Sequence, residues 1–264
     1  DSLCDCIKNY TLEDFYNYAK TVNIEEIEFI KEAYKVNLEL ADEGLNSDKT
    51  KLIKQLIKLN NDNIESQDTT KYAQIITNAA VEARVIGLDK PAMSIAGSGA
   101  HGIIATLPIY AFYKTNSKTE EELLRATALS YLVTIYIKAF SGKLSAYCGC
   151  AIGAGTGAAL GLTYLQEGNI DQLNYTLNNM TSSITGMICD GGNAGCVMKT
   201  ITAVEVALKA STFALANTYI DSKHGIIGNT PEKTMQNMGL IAAPGMESTE
   251  KTIIEILETK LEQV

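Results

Sequence analysis

Two features of this 264-residue sequence predict an all-α fold: apolar residues recur at helical spacing along most of the chain, and no stretch alternates apolar and polar residues for a useful length. A third supports them, since helix-start signals followed by glycine stops appear again and again. Hydrophobic residues make up 46% and charged residues 20%, a balance that sustains a packed core rather than a disordered tail. The length suits one domain over residues 1–264, and no internal repeat divides it.

Residues 1–90 read as a scaffold of successive amphipathic helices. Thr11 with Asp14 has the pattern of a capping box. Asn23 is placed to cap one long helix carrying Ile27, Ile30, Ala33 and Tyr34 on its apolar face and ending near Gly44. Residues 51–61 set Leu52, Ile53, Leu56, Ile57 and Leu59 on a lysine-studded helix, and residues 69–86 form another that stops near Gly87.

From Pro91 the composition shifts to glycine and small residues, which marks residues 91–264 as the portion that carries a site. A glycine loop over residues 97–102 leads into a helix through Tyr113, and Thr119 with Glu120 opens a helix to about Phe140. The Ser141-Gly142 turn precedes Cys148-Gly149-Cys150, after which a Gly and Ala helix runs from Ala151 to Leu165. Gly168 breaks it, a helix continues through Met180, and the loop from Cys189 to Cys196 opens onto a helix through Tyr219. Thr230-Pro231-Glu232 starts a short helix, and residues 248–261 make the last.

Several function classes are disfavoured. A net charge of -9 with no lysine and arginine patch argues against a nucleic-acid partner. Residues 91–113 and 144–166 contain no Asp, Glu, Lys or Arg, yet both are interrupted by Gly, Ser, Thr, His or Cys and lack basic flanks. They are therefore expected to be buried segments, with no membrane partner. The chain opens on Asp1 with no initiator methionine and no signal-peptide pattern, so it is expected to be a piece of something longer. Six cysteines without a secretion signal imply a reducing, cytoplasmic compartment, where thiols serve metals or catalysis.

The cysteines are the strongest chemical signal. Cys189 and Cys196 flank a loop with three glycines, which allows close approach of backbone and ligand. Cys148 and Cys150 precede the Gly and Ala helix, whose positive end favours an anionic group. Residues two apart on a helix point to nearly opposite sides, so one of the pair is expected to face a metal: Cys148, with Cys150 as its substitute. The same spacing also suits cysteines acting as small buried apolar residues. Zinc is less well served, because no Cys-x2-Cys pair with His spacing occurs. Cys4 and Cys6 sit in a charged context and are expected to be unrelated to catalysis.

His101 in the glycine loop can bind a carboxylate or shuttle a proton, or else be a hydrogen-bonded core histidine. Lys138 and Lys143 bracket the turn before Cys148 and are placed to pair with a substrate carboxylate; Lys143 is expected to be solvated instead. Asp190 and Asn193 are placed to orient the cysteine loop, and Lys199, one turn beyond Cys196, to neutralise a bound cluster or act as a base. Ser98 between glycines lacks the strand-turn-helix setting of a hydrolase nucleophile, and the glycine run lacks the strand that precedes a dinucleotide loop.

Three ordered motifs then carry a resemblance that covers nearly the whole chain. They are Ala96-Gly97-Ser98-Gly99-Ala100-His101-Gly102, Lys143-Leu144-Ser145-Ala146-Tyr147-Cys148-Gly149-Cys150-Ala151, and Gly186-Met187-Ile188-Cys189-Asp190-Gly191 followed by Cys196 and Lys199. The sequence resembles the serine dehydratase α-type domain, in its L-cysteine desulfidase branch. The resemblance implies an all-helical fold and a [4Fe-4S] cluster held by three cysteines, which become Cys148, Cys189 and Cys196 here. It also implies a β-elimination that turns L-cysteine or L-serine into pyruvate and ammonia. Three ligands leave one iron open to act as a Lewis acid. Ser98, Gly99, Ala100 and His101 become the substrate-binding loop, and His101, Lys138 and Lys199 the catalytic candidates.

Two departures from the family pattern stand out. Ala100 occupies a position where relatives usually carry Asn, and the Gly-Cys-Thr-Glu-Pro motif of an N-terminal segment is absent. The implied partners are thus a small amino acid and either a second copy or a chain that supplies the missing segment. In the latter case this chain is a helical cluster-binding or interaction subunit, inactive alone.

Overall fold

The computed structural model describes residues 3–142 and 145–261. Among them the backbone forms helices and no sheet, as the all-α expectation required. The scaffold comprises α1 (Leu3–Cys6), α2 (Leu12–Thr21), α3 (Ile24–Ile27), α4 (Ile30–Asn46), α5 (Leu52–Leu59) and α6 (Thr69–Val85). The remainder comprises α7 (Gly99–Thr115), α8 (Glu120–Ser141), α9 (Gly155–Leu165), α10 (Ile170–Ile184), α11 (Gly195–Leu215), α12 (Pro231–Leu240) and α13 (Glu247–Leu261).

The two uncharged stretches are the centre of the molecule. In α7, residues Ala100 to Ile109 are all buried, and α9 is buried almost throughout, which is why these buried segments carry no charge. Small residues let α9 lie directly on α8. A Cβ on Gly157 would stand 2.2 Å from Thr134 Oγ1 and 2.5 Å from the Ser130 carbonyl oxygen. One on Gly161 would stand 2.9 Å from the Ala126 carbonyl oxygen. Among the described residues, one helix, Glu120–Ser141, is long and apolar enough to cross a membrane, and 61% of its apolar window is buried against the rest of the fold.

Local signals act as expected at several ends. Thr11 and Asp14 form a reciprocal capping box, Thr119 and Glu122 form another, and Thr230 caps α12 with Pro231 in its first turn. Gly87 stops α6 with a φ of 75°.

Three expectations are corrected. Asn23 caps only the single turn α3; the chain then tightens through i to i+3 bonds at Glu28 and Phe29, and α4 begins anew. Gly44 does not end α4, which continues to Asn46. It is a contact glycine, where a Cβ would stand 2.2 Å from the Ala79 carbonyl oxygen on α6. The glycine loop is also shorter than read: Gly99 to Gly102 already belong to α7, and a Cβ on Gly102 would stand 1.8 Å from the Met93 carbonyl oxygen. In both helices, close packing outweighs the modest helix-breaking tendency of glycine.

Candidate active site and cysteine centre

A short antiparallel contact assembles the cysteines. Tyr147 and Ile188 form an isolated bridge; the Cys148 N–H donates to the Met187 carbonyl (3.1 Å) and the Cys189 N–H to the Ala146 carbonyl (2.6 Å). Two segments some forty residues apart are thereby held side by side, which sequence spacing does not reveal. After Cys148 the chain enters a π-helical turn, Cys150–Ala154, that leads into α9. Such turns inside helices often coincide with functional sites.

The expectation that Cys148 and Cys150 point apart is overturned, since their sulfurs lie 3.7 Å from one another. That expectation assumed a regular helix over both residues, whereas Cys148 still belongs to the extended segment. The Cys148 thiol is 2% exposed and its pKa is pushed up, first by its hydrogen bond to Cys150 and then by burial. The same hydrogen bond lowers the pKa of Cys150, so Cys150 is the readier of the two to lose its proton. Its charge also interacts with the thiols of Cys196 and Cys189, which places all three in one electrostatic neighbourhood.

Cys196 lies in the first turn of α11, where its N–H donates to the Asn193 carbonyl (2.9 Å). The Asn193 side chain accepts from the Gly195 N–H (2.7 Å) and donates to Asp190 (3.4 Å). Asp190 in turn pairs with Lys199, so Asp190 and Asn193 tie the loop to itself and to α11. The Asp190 carboxyl is held below its ordinary range chiefly by that Lys199 hydrogen bond. Burial works against the charge of Lys199, but Asp190 and the thiols of Cys148 and Cys196 prevail and raise its pKa.

Across from the cysteines stands His101, 6% exposed, with neither ring nitrogen hydrogen-bonded. Burial lowers its pKa from 6.5 to about 4, with the charges of Lys138 and Arg84 adding to the effect. The imidazole therefore stays neutral at pH 7. Gly149 leaves room for it: a Cβ there would stand 2.9 Å from His101 Nε2 and 3.9 Å from Lys138 Nζ. Lys138 is half-buried, and burial lowers its pKa against the pull of Cys150 and Cys189.

The remaining expectations sort as follows. Ser98 is the N-cap of α7 and its Oγ accepts from the His101 N–H (3.4 Å), while Ala100 is a buried core residue. Cys6 is exposed and lines an apolar groove of 740 Å³ with Ile7, Tyr10, Leu132, Ile135 and Ala96. Lys143, Leu144 and the side chain of Cys4 lie outside the described residues. Sequence reasoning missed Arg84 and Gly149, since a basic residue in a last helical turn and a glycine between cysteines announce nothing by themselves.

Among the described residues, no three His, Cys, Asp or Glu side chains converge as they would around a single ion. The donor set is nevertheless the soft one that iron-sulfur groups take: four thiols, polarised by Lys138 and Lys199, beside glycine-rich backbone. A cluster of several irons also spreads its thiolates more widely than one ion does. The chemistry of the site thus fits such a group.

Comparison with known proteins agrees with the motifs. A UPF0597 protein of Clostridium botulinum (strain Langeland / NCTC 10281 / Type F) is 44% identical over 251 residues, covering 95% of this chain and 58% of that protein. UPF0597 proteins of Caldanaerobacter subterraneus subsp. tengcongensis and Desulfotalea psychrophila are 41% and 38% identical, covering 59% and 58% of their own lengths. The chain therefore spans less than two thirds of the curated relatives it matches. The family model described as serine dehydratase alpha chain matches residues 3–255. With the helical fold and the ordered glycine and cysteine motifs, this match shows that the chain belongs to the serine dehydratase alpha chain family.

Proposed function

We propose that this chain is the cluster-bearing part of an iron-sulfur lyase that eliminates the β-substituent of L-cysteine or L-serine. The observation that carries the reading is the Tyr147–Ile188 bridge, which holds the Cys148-Gly149-Cys150 turn against Cys189. Cys189, Cys196 and one sulfur of the Cys148/Cys150 pair would hold a [4Fe-4S] group. When bound, that group supplies an electron-poor iron that polarises the departing thiol or hydroxyl.

The chain's own residues do the rest. Lys199 is kept charged by Asp190 and balances the thiolates. Lys138, destabilised as a cation by burial, is better suited than Lys199 to accept the Cα proton. The neutral His101 offers one ring nitrogen as donor and the other as acceptor to orient the substrate. The buried helices α7 and α9 behind the turn exclude water from that side. The released aminoacrylate would tautomerise and hydrolyse to pyruvate and ammonia.

Anaerobic reconstitution with iron and sulfide tests this reading. A brown protein that forms pyruvate from L-cysteine or L-serine is expected, and Cys189→Ser should lose most of its iron. A reconstituted chain with no iron would overturn it. A second reading is that these residues act only together with a further portion, since they match 58% of the length of a relative. Iron retention without pyruvate, followed by activity on adding the remaining portion of such a relative, would select that reading.

A further inference from the structure

The first turn of α7 gathers positive potential from two sources, and an unpartnered imidazole stands on the same turn. Arg84, at the end of α6, lies along it: a Cβ on Gly99 would stand 2.8 Å from Arg84 Nε and 3.4 Å from its Cδ. Glycine at position 99 is what lets the arginine stem rest on the helix backbone. Arg84 makes no ion pair or hydrogen bond among the described residues. The turn itself presents the Gly99 and Ala100 N–H groups of a 17-residue helix, which have no intrahelical acceptor and favour an anion, while the His101 N–H is taken by Ser98 Oγ.

The core side adds a neutral polar group without a partner. His101, on this same turn, is nine-tenths buried and has no partner for either ring nitrogen. An imidazole buried in that condition calls for a ligand or water to complete it. The charges that act on it are those of Lys138 and Arg84, so these three side chains share one field. On the far side of His101 lies Gly149, between the two cysteines. Arg84 and the helix N–H groups thus stand at one end of this turn, and the thiols, with Lys138 beside them, lie beyond His101.

We propose that Arg84 is a specificity-determining residue: with the first-turn N–H groups of α7 it holds the carboxylate of an α-amino acid, whose side-chain heteroatom then faces the cysteine turn. This inference rests on the reading above for its substrate class and adds a residue and an orientation to it. A guanidinium suits the task because its fork matches both carboxylate oxygens.

Calorimetric titration of the reduced chain with L-serine and with ethanolamine, which lacks only the carboxylate, tests the assignment. The wild type is expected to prefer L-serine. Arg84→Gln should weaken L-serine binding by about tenfold to a hundredfold and leave ethanolamine unchanged, as expected for loss of a charge-assisted bond. Arg84→Lys should recover part of the loss. Gly99→Ala, which displaces the arginine stem while keeping its charge, should weaken L-serine binding too and decides the matter if Arg84→Gln fails to fold. Equal L-serine affinity in wild type and variants, no preference over ethanolamine, or no L-serine binding at all would overturn the proposal. Iron content and pyruvate formation are measured separately. Carboxylate-dependent binding in a protein that takes up no iron would sink the lyase reading and leave the Arg84 assignment standing.

Discussion

At the scale of single residues, the consequence most open to measurement is the burial of His101. Its pKa is about 4 in the folded chain, against 6.5 for the exposed group. The unfolded chain therefore binds more protons between those values, and stability must fall as pH drops through that window. Above pH 6.5 the contribution is fully present; by pH 4 a shift of this size has removed about 3 kcal/mol. Urea titrations of the metal-free chain from pH 7 to pH 4 should show that decline, and His101→Asn should flatten it. An identical slope in the variant would place the decline elsewhere. The same burial explains how an ordinary histidine becomes a neutral hydrogen-bonding group facing a turn of thiols.

At the scale of elements, helix ends and helix contacts rest on specific atoms. Glu82, 4% exposed within α6, accepts from the N–H groups of Lys51 (2.7 Å), Leu52 (3.0 Å) and Ile53 (2.7 Å). It thus satisfies the start of α5 from a different helix, a role that Lys51 at the N-cap does not fill with its own side chain. Glu82→Gln turns one acceptor into a donor aimed at those N–H groups and should cost about 1–3 kcal/mol in urea unfolding. Faster amide exchange confined to α5 should accompany it; protection unchanged in α5 would refute this role. Sequence signals located most helices because caps and apolar stripes are local. They misjudged Gly44 and Gly102, because a glycine that admits a neighbouring backbone looks the same in sequence as one that ends a helix.

At the scale of the molecule, the helices around α7, α8 and α9 form the packed body, and α13 stands apart from it. No residue of α13 is buried, and Ile254, Ile256, Leu257 and Leu261 remain largely exposed. Removal of residues 247–264 should therefore shift the melting midpoint by only about 2 °C. A large drop would show that α13 is part of the cooperative unit.

The sequence by itself determined the helical class, the buried character of the two uncharged segments, and the motifs that identify the family, because these depend on periodicity and on residues close along the chain. Only the tertiary structure decided that the sulfurs of Cys148 and Cys150 meet, that Cys189 is stitched beside them, and that Arg84 lies on the first turn of α7. Each of these turns on a departure from regular helix or on a contact between distant segments. Neither leaves a period in the sequence, since the energies responsible arise between atoms that are neighbours only after the helices have packed.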